Sequence, residues 1–368
     1  MILLVHNRYR LPGGEERAVE DLAWLIREHL GEEAEVLERD SAALGRSRAA
    51  VALLRGGLAP EDVAHAVRRT GARVVHAHNL TPAFGWRALA AARGAGARVV
   101  AHLHNYRLVC AVGVCFTRGE DCTRCHGRNT LPGVALNCRG GSRAEAAAYG
   151  AGIALWQRRV AAAAHAFAVP SAFALERLRA LGAPVERAHV IGSVQRELAD
   201  ASHAAAGAYA LAAGRLAPEK GFADAIDAAR AAGLPLVIAG DGPQATELRE
   251  RAAGADVRFT GAIGAAELRT LRAGAAVAIV PSRYAEILPL AALEAMAAGL
   301  PVVAAASGGL AEVVPAEGLY PAGDASALVE RLRALWGDAG AGEQALATAR
   351  ERFAPQVVAR ALAAIYDG

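Results

Sequence analysis

Short apolar runs alternate along this chain with longer stretches whose apolar residues recur every three to four positions. Residues 1–6, Met1-Ile2-Leu3-Leu4-Val5-His6, read as a buried strand, followed by a loop holding Pro12-Gly13-Gly14. Val19, Leu22, Ala23, Ile26 and Leu30 then fall on one face at helical spacing. Residues 73–78 and 98–104 are two further apolar runs. Each comes after an Ala-rich helical stretch and a Gly-containing turn, and residues 166–170 supply a fourth run. Strand and helix in alternation predict a parallel sheet covered by helices on both faces.

The rhythm then starts again. Residues 208–213 form a strand, 214–221 a loop and 222–232 a helix, with strands following at 235–239, 256–260, 276–281 and 301–305. Both halves therefore open with strand, Gly-bearing loop and helix. The polar, Ala-rich stretch 197–207 predicts the change of domain, giving an N-terminal Rossmann-like domain over 1–196 and a second over 197–352. Residues 353–368 are expected to pack back on the first half as an amphipathic helix beginning after Pro355. Doubly wound sheets bind ligands beyond the carboxyl ends of their strands. Two of them facing one cleft would suit an enzyme with two substrates.

Length agrees with two cores, since 368 residues exceed what one usually holds. Apolar residues are 54% and charged residues 21% of the chain, which excludes disorder. Forty Lys and Arg against 37 acidic residues give a net charge of +3, no basis for a nucleic-acid protein. The first apolar run is too short for a signal-peptide core, and no span of about 20 apolar residues suggests a membrane helix. The expectation is a cytoplasmic protein, with peripheral contact to the inner face of a membrane left open.

Gly214-Arg215-Leu216-Ala217-Pro218-Glu219-Lys220-Gly221 joins a strand to a helix. Gly214 lets the backbone approach a ligand, and the helix start offers free N–H groups and a positive dipole end to an anion. Arg215 and Lys220 add two cations that can stabilise a departing nucleoside diphosphate. No Asp-x-Asp at a strand end stands ready to hold magnesium there. The plainer reading is a surface loop with a solvated Arg and Lys. Glu286 lies in the loop after a strand and Glu294 in the helix that follows. Carboxylates accept from vicinal hydroxyls of ribose or hexose; the alternative is a helix-start glutamate with one structural companion.

These residues together carry a resemblance. The second half resembles the retaining glycosyltransferases of family 4, which have the GT-B fold. It has Gly214-Arg215-Leu216 with Lys220-Gly221, Glu286 and Glu294 with seven residues between, then Ala295 to Val303 and Gly308-Gly309 with Glu312. The first half is similar through Pro12-Gly13-Gly14-Glu15 and His104-Asn105. It departs from the family in Ile287-Leu288-Pro289 and in Ile191-Gly192-Ser193-Val194. The resemblance implies a metal-independent hexosyl transfer with retention from a nucleoside-diphosphate sugar to a saccharide, lipid-linked or small-molecule acceptor. It implies that Arg215 and Lys220 hold the diphosphate, that Glu294 accepts from the ribose and that Glu286 contacts the donor sugar. Gly13, Gly14, Gly214 and Leu290 would also line the donor, and His104 would face the reacting sugar. A sugar-nucleotide 2-epimerase of the same fold and a non-catalytic nucleotide-sugar-binding protein are the rival readings.

His76, His78, His102 and His104 sit at two strand ends, and His104 is the one expected to act on a sugar hydroxyl or leaving group. All five cysteines, Cys110, Cys115, Cys122, Cys125 and Cys138, fall in one Gly-rich segment. Cys122-x-x-Cys125 has metal-clamping spacing, and four of the five thiolates would complete a structural zinc site. Reduced thiols or a disulfide, and another metal or cluster, are the alternatives.

Overall fold

A computed structural model describes residues 1–9, 14–139 and 142–368. The chain divides into two compact units. The first comprises Met1–Cys115, Cys122–Val194 and Pro355–Gly368, the second Phe116–Asp121 and Gln195–Ala354.

The first unit is built on β1 (Ile2–Arg8), β2 (Ala34–Asp40), β3 (Val74–Ala77) and β4 (Arg98–His102). In chain order a short hairpin of the second unit comes next, β5 (Phe116–Thr117) with β6 (Glu120–Asp121), and the first unit resumes with β7 (Ala166–Val169) and β8 (Ala188–Val190). Its six-stranded sheet runs β2-β1-β3-β4-β7-β8, with parallel pairing throughout. Two of these strands, β2 and β8, add to those the hydrophobic pattern predicts. The Ala34–Asp40 run carries four charged residues and is only partly buried, and β8 is three residues long, so neither shows an apolar run. The Gly14–His29 helix buries Val19, Leu22, Ala23, Leu25 and Ile26 as its periodicity requires. Those side chains pack with Val358, Leu362, Ile365 and Tyr366 of the C-terminal helix, Pro355–Asp367, over one face of this sheet.

The second unit carries β9 (Tyr209–Ala213), β10 (Leu236–Ala239), β11 (Val257–Gly261), β12 (Ala275–Val280), β13 (Val302–Ala305) and β14 (Leu319–Tyr320). They form a parallel sheet in the order β11-β10-β9-β12-β13-β14. Alternate residues of its strands enter two separate cores. Ala210, Ala212, Ile238 and Ile279 face the Phe222–Ala232 helix, while Leu211, Val237, Ala278 and Val280 face the Leu290–Ala297 helix. A sheet buried on both faces has no polar side, which is why its strands read as unbroken apolar runs. The two residues of β14 are too few to show a pattern.

Strand order decides where a site can form. In the second sheet the first strand, β9, lies beside the fourth, β12, and the chain winds away from that seam on either side. The loops leaving the carboxyl ends of β9 and β12 border this switch point. In the first sheet the corresponding seam lies between β1 and β3. Among the described residues, no helix is long and apolar enough to cross a membrane.

Candidate functional site

The loop after β9 places Gly214 at φ +149°, a conformation open to glycine. Leu216 is fixed from below, its N–H donating to the Asp241 carbonyl at 2.9 Å and its carbonyl accepting from the Gln244 N–H at 3.0 Å. What the sequence shows as one loop contains a single 3-10 turn, Pro218–Lys220, ended by Gly221 at φ +70°. A Cβ on Gly221 would stand 2.0 Å from the Pro281 carbonyl oxygen. That contact joins the β9 loop to the β12 loop at the switch point.

Across it, the Lys220 Nζ lies 2.9 Å from the Glu286 carboxylate and 5.2 Å from the centre of the Tyr284 ring. Burial opposes the lysine charge, but Glu286 and the Tyr284 hydroxyl outweigh it and carry its pKa above the ordinary value. Burial, reinforced by Glu286 and opposed by Lys220, pushes the Tyr284 hydroxyl up to about 12. Glu286 is 4% exposed and accepts from the Ser282 hydroxyl, and its carbonyl accepts from the Gly309 N–H at 2.7 Å. Arg215 is 58% exposed and pairs with Glu219. Both cations of the loop are therefore present, and each is steadied by a carboxylate.

Glu294 sits two-thirds of the way along the Leu290–Ala297 helix, where it pairs with Arg272 of the Ala265–Ala273 helix. Leu290 opens that first helix and is half-buried. Glu312 pairs with Arg352 at 3.0 Å. Glu219, Tyr284 and Arg272 were missed. Arg215 and Glu219 are four apart, a legible ion-pair signal, whereas Arg272 has no local mark to distinguish it from any arginine near a helix end.

In the first unit, His104 lies two residues past β4, its Nε2 2.8 Å from His78 Nδ1. Burial lowers its pKa, with the Glu15 carboxylate pulling the other way. His78 and His102 are held neutral by burial and then by neighbouring imidazoles, and His76 is lowered to about 3 by the same causes. Gly14 begins the Gly14–His29 helix, while Gly13 and Pro12 lie outside the described residues. Asn105 Nδ2 donates to Glu15 at 2.7 Å, and Arg107 donates to the Tyr9 hydroxyl at 2.8 Å.

Beside this polar group opens a cavity of about 130 Å³, its apolar wall formed by Trp86, Tyr149 and Trp156 and its polar end by His78, His104 and Glu15. Tyr149, Ile153, Trp156 and Val160 line it at the i, i+4, i+7, i+11 spacing of a helix face. That stripe is legible in the sequence as one face of a helix.

None of the five cysteines is joined in a disulfide. Cys110 and Cys115 share a thiol hydrogen bond. That bond, against the opposing effect of burial and with help from backbone N–H groups, brings Cys110 down to about 6, while sharing it and burial push Cys115 up. Burial raises Cys125, and Cys122 and Cys138 are half-buried. Among the described residues, the three-residue group compact enough for a metal ion consists of His76, His78 and His102, and no three cysteines form one. The segment is also more regular than its composition suggested. It holds the β5–β6 hairpin, whose Phe116 ring meets Tyr284 edge-on at 6.3 Å, and a short helix, Leu131–Ala135.

Comparison with known proteins agrees with this architecture. A glycosyl transferase 4-like domain matches residues 12–193 and the glycosyl transferases group 1 domain matches residues 207–338. The chain belongs to family 4 of the glycosyltransferases. This family 4 chain is 38% identical over 109 residues to the sulfoquinovosyl transferase SQD2 of Arabidopsis thaliana, covering 28% of this chain and 21% of that protein. It is 38% identical over 169 residues to a glycogen synthase of Mycobacterium tuberculosis, covering 42% and 41%. It is 40% identical over 110 residues to a GDP-mannose-dependent phosphatidylinositol dimannoside mannosyltransferase of the same species, covering 28% and 29%. Each match spans less than half the length of the curated relative. Among solved structures, HepE of Anabaena, crystallised with UDP and glucose, is 18% identical with a TM-score of 0.65, covering 99% of this chain and 98% of that one. Sucrose-phosphate synthase of Thermosynechococcus elongatus is likewise 18% identical, with a TM-score of 0.71 over 100% and 98%. At that identity the likeness speaks to the fold, which is GT-B.

Proposed function

We propose that this chain moves a hexose-type sugar from a nucleoside-diphosphate sugar to a hydroxyl acceptor, keeping the configuration at the anomeric carbon. The observation that carries the reading is the meeting of Lys220 and Glu286 at the β9–β12 switch point, with Arg215 on the same β9 loop, where a doubly wound sheet binds its ligand. In this reading Arg215 and Lys220 hold the diphosphate. The bond from the anomeric carbon to the diphosphate oxygen breaks, and the two cations stabilise the charge that gathers there. The acceptor oxygen bonds to the anomeric carbon on the face the diphosphate leaves, and its proton passes to the departing phosphate. Glu286 orients the donor sugar, and Glu294 with Leu290 and Gly214 lines the nucleotide. Glu219 and Tyr284 are positioning residues for the two cations.

The first unit's cavity suits the acceptor. Trp86, Tyr149 and Trp156 offer an apolar wall, and His104 with Glu15 offers hydrogen bonds to a hydroxyl. Relatives named for sulfoquinovosyl, glucan and phosphatidylinositol mannoside chemistry make saccharide and lipid-linked acceptors the first to try. UDP-glucose and GDP-mannose are the corresponding donors, since HepE was solved with UDP-glucose and the mannosyltransferases are GDP-mannose-dependent.

The test is incubation of the full chain with each donor in the presence and absence of an acceptor panel. Nucleoside diphosphate released in proportion to acceptor, with an α-linked product from an α-linked donor, supports transfer. An isomerised sugar nucleotide would replace transfer by epimerisation, and saturable binding without turnover would make the protein a carrier.

A further inference from the structure

The first unit stacks imidazoles in a way that hexosyl transfer does not require. β3 pairs with β1 and β4 so that His76 stands beside Leu4 and Val100. Residues two apart on a strand point to the same face, so His78 and His102 come up next to His76. Ring centres are 4.9 Å apart for His76 and His78, 5.3 Å for His76 and His102, and 5.4 Å for His78 and His102. One ring nitrogen from each of the three lies within 4.8 Å of the others.

The hydrogen bonds around this group have a particular polarity. Nδ1 of His76 is 2.8 Å from the Tyr366 hydroxyl, and Nδ1 of His78 is 2.8 Å from His104 Nε2. Each of these two rings is thus tied through one nitrogen to an outer partner, the arrangement that fixes tautomer and aim in metal-ligating histidines. The inward nitrogens are less well served. His76 Nε2 faces His102 Nδ1 at 3.2 Å, and His78 Nε2 is buried without a hydrogen-bond partner, as is the other nitrogen of His102, Nε2. Two nitrogens bound to one tetrahedral zinc at about 2.0–2.1 Å stand about 3.4 Å apart, close to the His76–His102 spacing. A buried polar atom left without a partner, here His78 Nε2, calls for an occupant, and an ion can serve it together with His76 Nε2 and His102 Nδ1.

We propose that His76, His78 and His102 bind a divalent transition metal within the first unit, zinc being the ion suited to three imidazoles. Tyr366 and His104 act as positioning residues, holding His76 and His78 through their outer nitrogens. Bound there, the ion ties β3 to β4 and, through Tyr366, to the C-terminal helix. The site is separate from the cation loop of the second unit and stands whether or not that loop holds a donor.

The experiment uses the full chain stripped with a chelator and titrated with cobalt(II) and zinc(II). Cobalt bound by imidazole and water gives visible d–d bands without the sulfur-to-metal charge-transfer band that thiolates produce. The expected result is one equivalent of cobalt with the nitrogen-type spectrum, displaced by zinc, and a melting temperature that rises with zinc. His78→Ala and His102→Ala should each weaken binding by about 100-fold or more, and Tyr366→Phe by about 10-fold, the range for an outer partner. A Cys122→Ser, Cys125→Ser double variant should leave the spectrum intact. A thiolate spectrum that disappears in the cysteine variant and survives in the histidine variants would overturn the proposal. So would wild-type protein that takes up no stoichiometric metal, a result readable even if a histidine variant fails to fold.

Discussion

In the second unit, β9 ends in Gly214 and leads to two cations, one 58% exposed and one resting on a carboxylate that burial has taken out of water. In the first unit, β3 and β4 end in imidazoles that burial keeps uncharged, beside an aromatic cavity. Both sheets are six-stranded, parallel and wound to a switch point, so the backbone prepares the same kind of place twice. The side chains then make one place suited to a permanent anion and the other to neutral hydroxyls or a metal. A repeated fold fixes where chemistry can happen and leaves its sign to a handful of residues.

The comparison breaks most sharply at the cations. Lys220→Ala or Arg215→Ala is expected to lower kcat by about 10²–10³, the scale of losing one preorganised donor to a developing anion. Steady-state rates that match the unsubstituted chain in both variants would remove the loop from the chemistry.

Gly221→Ala tests whether the two loops of that site truly meet. The new methyl would press on the Pro281 carbonyl in a conformation L-residues avoid, and a loss of about 1–3 kcal/mol in chemical denaturation is expected. Unchanged stability would show that the loops are further apart.

Glu294→Ala should weaken nucleotide binding by about tenfold, the worth of a charged hydrogen bond. Calorimetry with UDP and GDP measures it. An unaltered affinity would leave Glu294 as the partner of Arg272 and nothing more.

The first unit should instead reveal itself through pH. His76 has its pKa lowered to about 3, so the unfolded chain binds a proton near pH 6.5 that the folded chain does not. Stability therefore falls as pH drops below about 6.5, and the loss continues toward the folded value. Between pH 7 and 5.5 the metal-free protein should lose about 1 kcal/mol from His76 alone, with His78 and His102 adding in the same direction. Urea titrations at the two pH values decide it, and a flat profile would mean that the imidazoles are reached by water.

The smallest effect expected is that of EDTA added to the assay, which should leave turnover within about twofold while any zinc of the first unit stays bound, if Arg215 and Lys220 fill the place of a metal at the diphosphate. A large loss restored by magnesium would give the donor site to an ion instead.

Much of the second unit was legible because its apolar runs are complete. The Phe222–Ala232 helix matches its periodicity end for end, and Gly214, Arg215 and Lys220 lie in one short stretch of chain, so their grouping needs no fold to reveal it. The histidines at 76, 78, 102 and 104 were visible as a pattern, and His104 was singled out on its position past a strand. Their mutual contacts were not visible, since a parallel register is set by packing and by crossover helices and leaves no local mark. The cysteines show the limit of spacing as a signal. Spacing of Cys122 and Cys125 suggests a clamp, yet spacing alone does not say where the backbone carries the remaining thiols.

The sequence by itself determined two alternating strand–helix units, a cation-bearing loop and a pair of glutamates eight positions apart, because periodicity, glycine and charge are local properties. Only the tertiary structure decided that Glu286 closes on Lys220, that Arg272 answers Glu294 and that Tyr366 reaches His76 across 290 positions of chain. Those partners are chosen by strand order and helix packing, which depend on which surfaces bury one another and so on the whole chain at once.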